Sequence, residues 1–160
     1  MMRSVLFSFA VIAVISCAIA DRQGGCGNNL HWRYEEATFT LTINGTLAMN
    51  DFDLNLNLPP WYDVHVNPHV ATVIIEPGAT SIGNYAFASF SNLTSITIPD
   101  TVTWFGKYAF RGCHLLQQIP IPSGVSSIGE GCFYQCSNVT ELIIPDDVPN
   151  LEKETFHGCE

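Results

Sequence analysis

Three cysteines recur at intervals of 23 residues: Cys113, Cys136 and Cys159. If this interval is a structural repeat, the three lie about 5 Å apart in neighbouring turns of the chain, within the Cα separation that a disulfide spans. Reduced thiols are also small and apolar enough to pack as a column inside a core, and we favour this arrangement. With Cys26 and Cys132, five cysteines lie outside the apolar segment at residues 5–20, so at least one is free or bonds another chain.

The sequence offers only weak candidates for a metal site. Acidic and amide residues alternate with apolar ones between residues 51 and 58, as in a calcium loop, but the sixth and twelfth positions are Leu56 and Tyr62 rather than glycine and glutamate. The alternation predicts instead an extended segment with one buried face. His65 and His69 are separated by Pro68, which disfavours helical ligand spacing, so we predict surface histidines.

Catalytic motifs are missing from the sequence. It contains no nucleophile elbow, no phosphate-binding loop and no paired-histidine zinc motif. The glycine-rich stretch at residues 24–27 has neither a preceding strand nor a following helical pattern, so it is not typical of a nucleotide site. We therefore predict no enzyme activity, no catalytic residue, no metal and no cofactor.

Three sequons could accept N-linked glycans, at Asn44, Asn92 and Asn138. Asn92 and Asn138 occupy the same position two repeats apart, so both are expected on one exposed edge. The sequence predicts that at least one of the three is used.

The elements that position these residues belong to an ungapped 23-residue repeat. Full copies occupy residues 80–102, 103–125 and 126–148, and residues 149–160 begin a fourth. Each copy shares one phenylalanine, and each full copy has an Ile-Pro pair: Phe87, Phe110, Phe133 and Phe156, with Ile98-Pro99, Ile121-Pro122 and Ile144-Pro145. One such unit cannot bury its apolar face alone, so the copies must stack into a common core.

Each unit is predicted to contain one strand and one tight turn. Leu93, Ile96 and Ile98 follow the two-residue period that ends a half-buried strand, and Pro99 stops it by removing a ladder donor. Residues 84–90 predict a short helical or 3-10 turn that points its aromatic side chains inward. Consecutive strands are expected to run parallel, about 4.8 Å apart.

The pattern I-G-x-x-A-F-x-x-C-x-x-L-x-x-I-x-I-P resembles the BspA-type leucine-rich repeat, found in surface and secreted proteins of bacteria and of anaerobic or mucosal protists. The segments at residues 26–32, 40–46 and 60–62 resemble the N-terminal cap of that family. The resemblance implies a right-handed leucine-rich-repeat solenoid with a parallel β-sheet and short helical or 3-10 turns, preceded by a small β-rich cap. It also implies adhesion to a protein or glycan on a host cell, the matrix or another microbe, without a shared active site. Cys132 and Phe90 depart from the pattern, replacing its alanine and its cysteine.

The domain organisation predicted on this basis has three parts. Residues 1–20 form a secretory signal peptide, residues 21–69 the N-terminal cap, and residues 70–160 the repeats, of which 70–79 are a degenerate first strand and 149–160 a half repeat. The final half repeat leaves three alternatives open: its apolar residues cover the core, the chain is a piece of a longer array, or copies pair end to end.

The assignment of a signal peptide depends on residues 1–20. A short basic start precedes an almost wholly apolar run, and a small-x-small site ends at Ala20. Sixteen helical residues reach about 24 Å, which is shorter than the membrane's hydrocarbon layer, so a transmembrane anchor is disfavoured and none is expected in the mature chain. The segment ending at Cys17 resembles a lipobox, so a lipid anchor there is the minor alternative.

The charge of the mature chain excludes some partners. Removing Arg3 with the signal peptide leaves 5 basic against 15 acidic residues, a net charge of −10. Such a surface repels phosphate, so nucleic acid is not an expected partner.

The predicted ligand site is the exposed side of the repeat strands. Its residues form two columns: Thr72, Ser95, Gln118 and Glu141 in one, and Ile74, Thr97, Pro120 and Ile143 in the other. The leading hypothesis is therefore a secreted or cell-surface adhesion module. The alternative is an assembly fragment that self-associates through its open end into a homo-oligomer.

Overall fold

The computed structural model describes residues 22–63, 65–149 and 151–159, so the predicted signal peptide lies outside the described residues. Strands are the main regular secondary structure in these ranges, and the helical structure in them is one 3-10 turn, Asn67–His69. The strands are β1 (Arg22–Gly25), β2 (Gly27–Glu35), β3 (Thr40–Met49), β4 (Thr72–Ile75), β5 (Ala79–Ile82), β6 (Ser95–Thr97), β7 (Trp104–Phe105) and β8 (Ser127–Ile128).

The first three strands form an antiparallel unit. Strand β2 pairs with β1 on one side and with β3 on the other. Leu30, Trp32 and Tyr34 alternate along β2 and are buried, whereas the residues between them face solvent. The two-residue period therefore turns one side of the unit towards the core.

Strand β3 starts two parallel ladders. Its first half pairs with β4 in the register Thr40–Thr72, and its second half pairs with β5. The backbone changes direction between the halves, where Gly45 has a φ of 111° and Leu47 a φ of 77°. A Cβ at Gly45 would overlap the carbonyl oxygen of Asn29, so the close approach of β2 requires glycine there.

Both ladders continue with an offset of one repeat. Strand β4 pairs with β6, and β5 pairs with β7, which in turn pairs with β8. The predicted strand becomes shorter along the chain, because Gln118 and Glu141 form a single parallel bridge instead of extended strands. The result is a leucine-rich-repeat-like fold made mostly of sheet.

The segment at residues 84–90 forms hydrogen-bonded turns without the predicted helix, although Phe87 and Phe90 point inward and are buried as predicted. Its alternate amides donate to the next repeat: Tyr85 N to Lys107 O, Phe87 N to Ala109 O, and Ser89 N to Arg111 O. These amides are therefore unavailable for bonds within a helix. In each repeat, two positions of this turn adopt positive φ. Tyr85, Tyr108, Gly131 and Glu154 occupy the first position, and Ser89, Gly112, Gln135 and Gly158 occupy the second.

A column of aromatic rings runs through the core. It begins at Trp61 and continues through the repeated phenylalanines at 87, 110, 133 and 156, with ring centroids 5.6–5.8 Å apart and nearly parallel planes. The indole Nε1 of Trp61 donates to Ala86 O at 2.7 Å. The column thereby joins the N-terminal segment to the repeats.

The repeated cysteines form a thiol column beside these rings. The Sγ atoms of Cys113, Cys136 and Cys159 donate to the carbonyl oxygens of Phe87, Phe110 and Phe133 at 3.3, 3.1 and 3.0 Å. All five cysteines of the described residues are free thiols, in agreement with the predicted column of reduced thiols.

Candidate functional site

The exposed side of the repeat strands holds the eight residues singled out from the sequence. The two predicted columns form two rows: Thr72 pairs with Ser95 and Gln118 with Glu141 in the first, and Ile74 pairs with Thr97 in the second. Seven of the eight are exposed and Thr72 is half-buried. We call the two rows the outward face.

A groove of about 500 Å³ opens on this face. One wall consists of residues 94–96 and the other of residues 117–121, with Glu141 and Ile143 beyond it. Five of the eight predicted residues line the groove: Ser95, Gln118, Pro120, Glu141 and Ile143. Thr72, Ile74 and Thr97 lie on β4 and β6, outside the lining.

The groove lies where the backbone ladder is interrupted. Thr94 N donates to Ala71 O, and Thr140 N donates to Gln117 O, each across one repeat. The equivalent bond between them, from Gln117 N to Thr94 O, is not formed in this fully described stretch. Pro120 has no N–H to donate to a ladder, which gives a physical reason for the break.

The outward face extends beyond the repeats onto the antiparallel unit. Thr42 lies beside Ile74, Arg33 pairs with Thr42, and Gln23 pairs with Arg33, so the second row reaches β1. Gln23 and Arg33 are exposed and Thr42 is half-buried. Sequence reasoning did not include these residues, although the alternation of exposed and buried residues along β2 is the signal that places Arg33 outward.

The charge around the groove is acidic. Glu141 lines it, and Asp146 and Asp147 line a neighbouring hollow of about 380 Å³ on the far side of Ile143. Ile143 lines both hollows and is 74% exposed. The lining of the two hollows contains no basic residue.

Two basic side chains of the repeats have partners elsewhere. Lys107 Nζ lies 3.6 Å from a carboxylate oxygen of Glu130. The Arg111 guanidinium lies 5.6 Å from the centre of the Tyr134 ring. Neither Lys107 nor Arg111 lines the groove or the neighbouring hollow, so neither offsets the acidic charge there.

The three sequon asparagines are all exposed, in different settings. Asn44 lies on β3 two residues from Thr42, so its side chain is on the outward face. Asn92 Nδ2 donates to Pro68 O at 2.6 Å, which engages the nitrogen that a glycan would modify. Asn138 lies three residues before Glu141, and its side chain has no hydrogen bond within the described part of the chain.

The segment at residues 51–58 is a tight turn, so the predicted extended conformation is wrong. Asp53 forms an antiparallel bridge with Asn57, and its carboxylate accepts bonds from the backbone amides of Asn55 and Leu56. Leu56 is 92% exposed, because the turn carries it away from the core. Within residues 22–63, 65–149 and 151–159, no group of three or more His, Cys, Asp or Glu side chains is placed to hold a metal ion.

The shifted pKa values of the titratable groups arise from burial and from contacts within the fold. Burial raises the pKa of the Cys26 and Cys136 thiols to about 12, so neither is an activated nucleophile. The pKa of Asp63 is lowered, first by the hydrogen bond from His65 N and then by Arg22, whose guanidinium lies 3.1 Å away. His65 and His69 are exposed, as the sequence predicts.

Comparison with known proteins identifies the repeats. The family described as the BspA type leucine rich repeat region matches residues 66–160 as six copies. No curated protein matches the chain significantly. Among the described residues, no helix has the length and apolar character needed to cross a membrane.

Several solved structures of bacterial proteins have a similar fold. A leucine-rich repeat protein of Eubacterium ventriosum has a TM-score of 0.55 and 22% identity over 80% of this chain and 45% of its own. A leucine rich repeat protein of T. pallidum has a TM-score of 0.57 and 20% identity over 80% of this chain and 64% of its own. A leucine rich cell surface protein of Faecalibacterium prausnitzii has a TM-score of 0.57 and 20% identity over 89% of this chain and 41% of its own. The chain thus spans less than two thirds of each of these proteins.

The family match covers more than half of the chain, and it falls on the residues whose strands pair at an offset of one 23-residue repeat. The chain therefore belongs to the BspA-type leucine-rich-repeat family.

Proposed function

We propose that this chain is a secreted or cell-surface adhesion module, not an enzyme, that binds a protein or glycan through its outward face. The observation that carries the proposal is the continuity of this face, which runs from β1 across the antiparallel unit to the repeats. Membership of the BspA-type family supports the proposal, as does the similarity in fold to a bacterial leucine-rich cell surface protein.

The domain organisation that we propose follows the predicted boundaries. A signal peptide at residues 1–20 directs export, residues 21–69 cap a right-handed solenoid, and residues 70–160 form its coils. The antiparallel unit pairs directly with β4 and β5, which supports its role as a cap. The intact mass of the natural protein tests cleavage after Ala20, a lipid on Cys17 and glycans on Asn44, Asn92 or Asn138.

The size of the face determines how such a module must work. Seven strand positions, from β1 to Glu141, span about 29 Å, roughly twice the width of the repeat strands alone. With about 13 Å along each strand, the footprint is near 370 Å², less than half of the roughly 800 Å² that each partner buries in a stable complex. Single copies are therefore expected to bind weakly, and adhesion requires many copies on one surface.

The test is adhesion of a multivalent form. We would display the mature protein on beads and measure their attachment to epithelial cells, extracellular matrix and other microbes. Gln118→Arg with Glu141→Arg should reduce attachment, because both residues line the groove. The matched control is Ser91→Arg with Glu152→Arg, an equal change in charge at exposed residues outside the groove lining. No attachment to any surface, or equal losses from both pairs, would refute the proposal.

A second candidate function is assembly with another copy or with a further coil. Apolar side chains around a hollow of about 280 Å³ remain only partly buried; they are Val139, Leu142, Ile144, Phe156 and Cys159. A second copy or a further coil that packs here would bury these side chains and continue the aromatic column beyond Phe156. Sedimentation distinguishes the two functions, because assembly requires a stable oligomer and adhesion by single copies does not.

A further inference from the structure

We propose that the groove between residues 94–96 and 117–121 binds an extended peptide segment in which a basic side chain stands beside an apolar one. This inference rests on the proposed adhesion function, and it specifies the chemistry of the partner that the outward face takes.

The interrupted ladder provides the space and some of the polar contacts. Thr94 O and Gln117 N are not bonded to each other, although the equivalent groups are bonded in the repeats before and after. A carbonyl oxygen without its ladder partner can accept from a lysine or arginine side chain. The groove volume of about 500 Å³ accommodates such a side chain and its neighbours in an extended segment.

The side chains of the lining favour a cation. The carboxylate of Glu141 and the amide oxygens of Gln117 and Gln118 are acceptors, and the lining contains no Lys or Arg. Asp146 and Asp147 extend the acidic charge beyond Ile143. Phosphate groups, anionic lipids and acidic glycans would meet repulsion at this position, whereas a basic side chain is attracted.

The apolar requirement comes from Ile143 and Pro120. Ile143 is 74% exposed and lies between the groove and the acidic hollow, so it is available to a partner's apolar side chain. Pro120, on the groove wall, gives a second apolar contact and leaves one backbone donor fewer to satisfy. Successive residues of an extended segment point in opposite directions, so the basic and apolar anchors are expected two positions apart or on adjacent segments.

The experiment uses three synthetic peptides of equal length that repeat Val-Ser-Xaa-Ser, where Xaa is lysine, serine or glutamate, so that valine and the varied residue lie two positions apart on one side of the extended segment. Binding to the mature protein is measured by fluorescence anisotropy at low and at high salt. The lysine peptide should bind at least about tenfold more tightly than the glutamate peptide, with the serine peptide between them, and high salt should reduce this difference. Equal affinities for the basic and acidic peptides would overturn the proposal.

Substitutions locate the binding to the groove. Glu141→Gln should weaken binding of the lysine peptide about two- to fivefold, the range expected for one exposed ion pair. Ile143→Ser should weaken binding of both the lysine and the serine peptides, and because Ile143 is 74% exposed the substitution should leave the fold intact. Glu152→Gln, with the same charge change at an exposed residue outside the groove, should leave affinity unchanged.

The outcomes separate this inference from the adhesion function. If beads adhere and lose adhesion on substitution of the groove residues, but the lysine peptide has no advantage, then the partner chemistry is wrong and the adhesion function stands. If the glutamate peptide or a polysaccharide binds more tightly than the lysine peptide, the inference is also overturned. If neither beads nor peptides bind, both proposals fail.

Discussion

The buried thiols predict that the protein loses stability as the pH rises from 8 to 10. Burial raises the pKa of Cys26 and Cys136 from 9.0 to about 12, and it raises the pKa of Cys113 and Cys132 well above 9.0. Above pH 9 the unfolded chain therefore binds fewer protons at these thiols than the folded protein does. Their contribution is fully present below pH 9 and is lost as the pH rises towards 12.

The magnitude follows from the difference in pKa. At pH 10 a thiol with a pKa of 9.0 is about nine-tenths ionised in the unfolded chain, whereas one with a pKa of about 12 stays protonated in the fold. The free energy of unfolding then falls by a little over 1 kcal/mol per thiol relative to pH 8. Cys26 and Cys136 together therefore cost about 3 kcal/mol between pH 8 and 10, a large part of the stability of a small domain.

The assay is urea unfolding followed by tryptophan fluorescence at pH 7, 8, 9 and 10 under a thiol reductant. Cys136→Ala should be less stable at pH 8, but it should lose a little over 1 kcal/mol less than the natural protein between pH 8 and 10. Tyr34 and Tyr108 also have raised pKa values, and comparing the two proteins cancels their contribution. Equal losses in the natural protein and in Cys136→Ala would refute the reasoning.

Two further substitutions test the contacts between repeats, each by its shift in the urea midpoint. Gly131→Ala should cost about 1–3 kcal/mol, because Gly131 has a φ of 57° and a new Cβ would overlap the Tyr108 ring; Gly124→Ala, where a Cβ has room, is the control and should have little effect. Trp61→Phe should cost about 1–3 kcal/mol, because it leaves the buried carbonyl of Ala86 without its 2.7 Å donor; an unchanged midpoint would show that this bond adds nothing.

The parts of the fold that sequence could predict are those set by the 23-residue period. The parallel strands at Thr72–Ile75 and Ser95–Thr97 follow from apolar residues that alternate, and the Ile98-Pro99 pair predicts where the second one ends. The period also places the thiols of Cys113 and Cys136 one repeat apart, each donating to a phenylalanine of the preceding repeat.

The parts that sequence could not predict depend on contacts between repeats. The turn at residues 84–90 has the composition of a short helix, but its amides donate to the next repeat. The break between Thr94 and Gln117 depends on which backbone hydrogen bonds form between repeats, and the local strand preferences of the residues do not determine this. Likewise, the extension of the outward face onto Arg33 depends on the pairing partner of β3.

The two-way pairing of β3 has a consequence for how the chain folds during synthesis. Both ladders begin on this one strand, so its edge is already present when each later repeat leaves the ribosome. Each new strand pairs with a strand that is already ordered, so the entropy cost of forming the first pair of strands arises only once. Damage to β3 would therefore leave both ladders without the strand on which they begin.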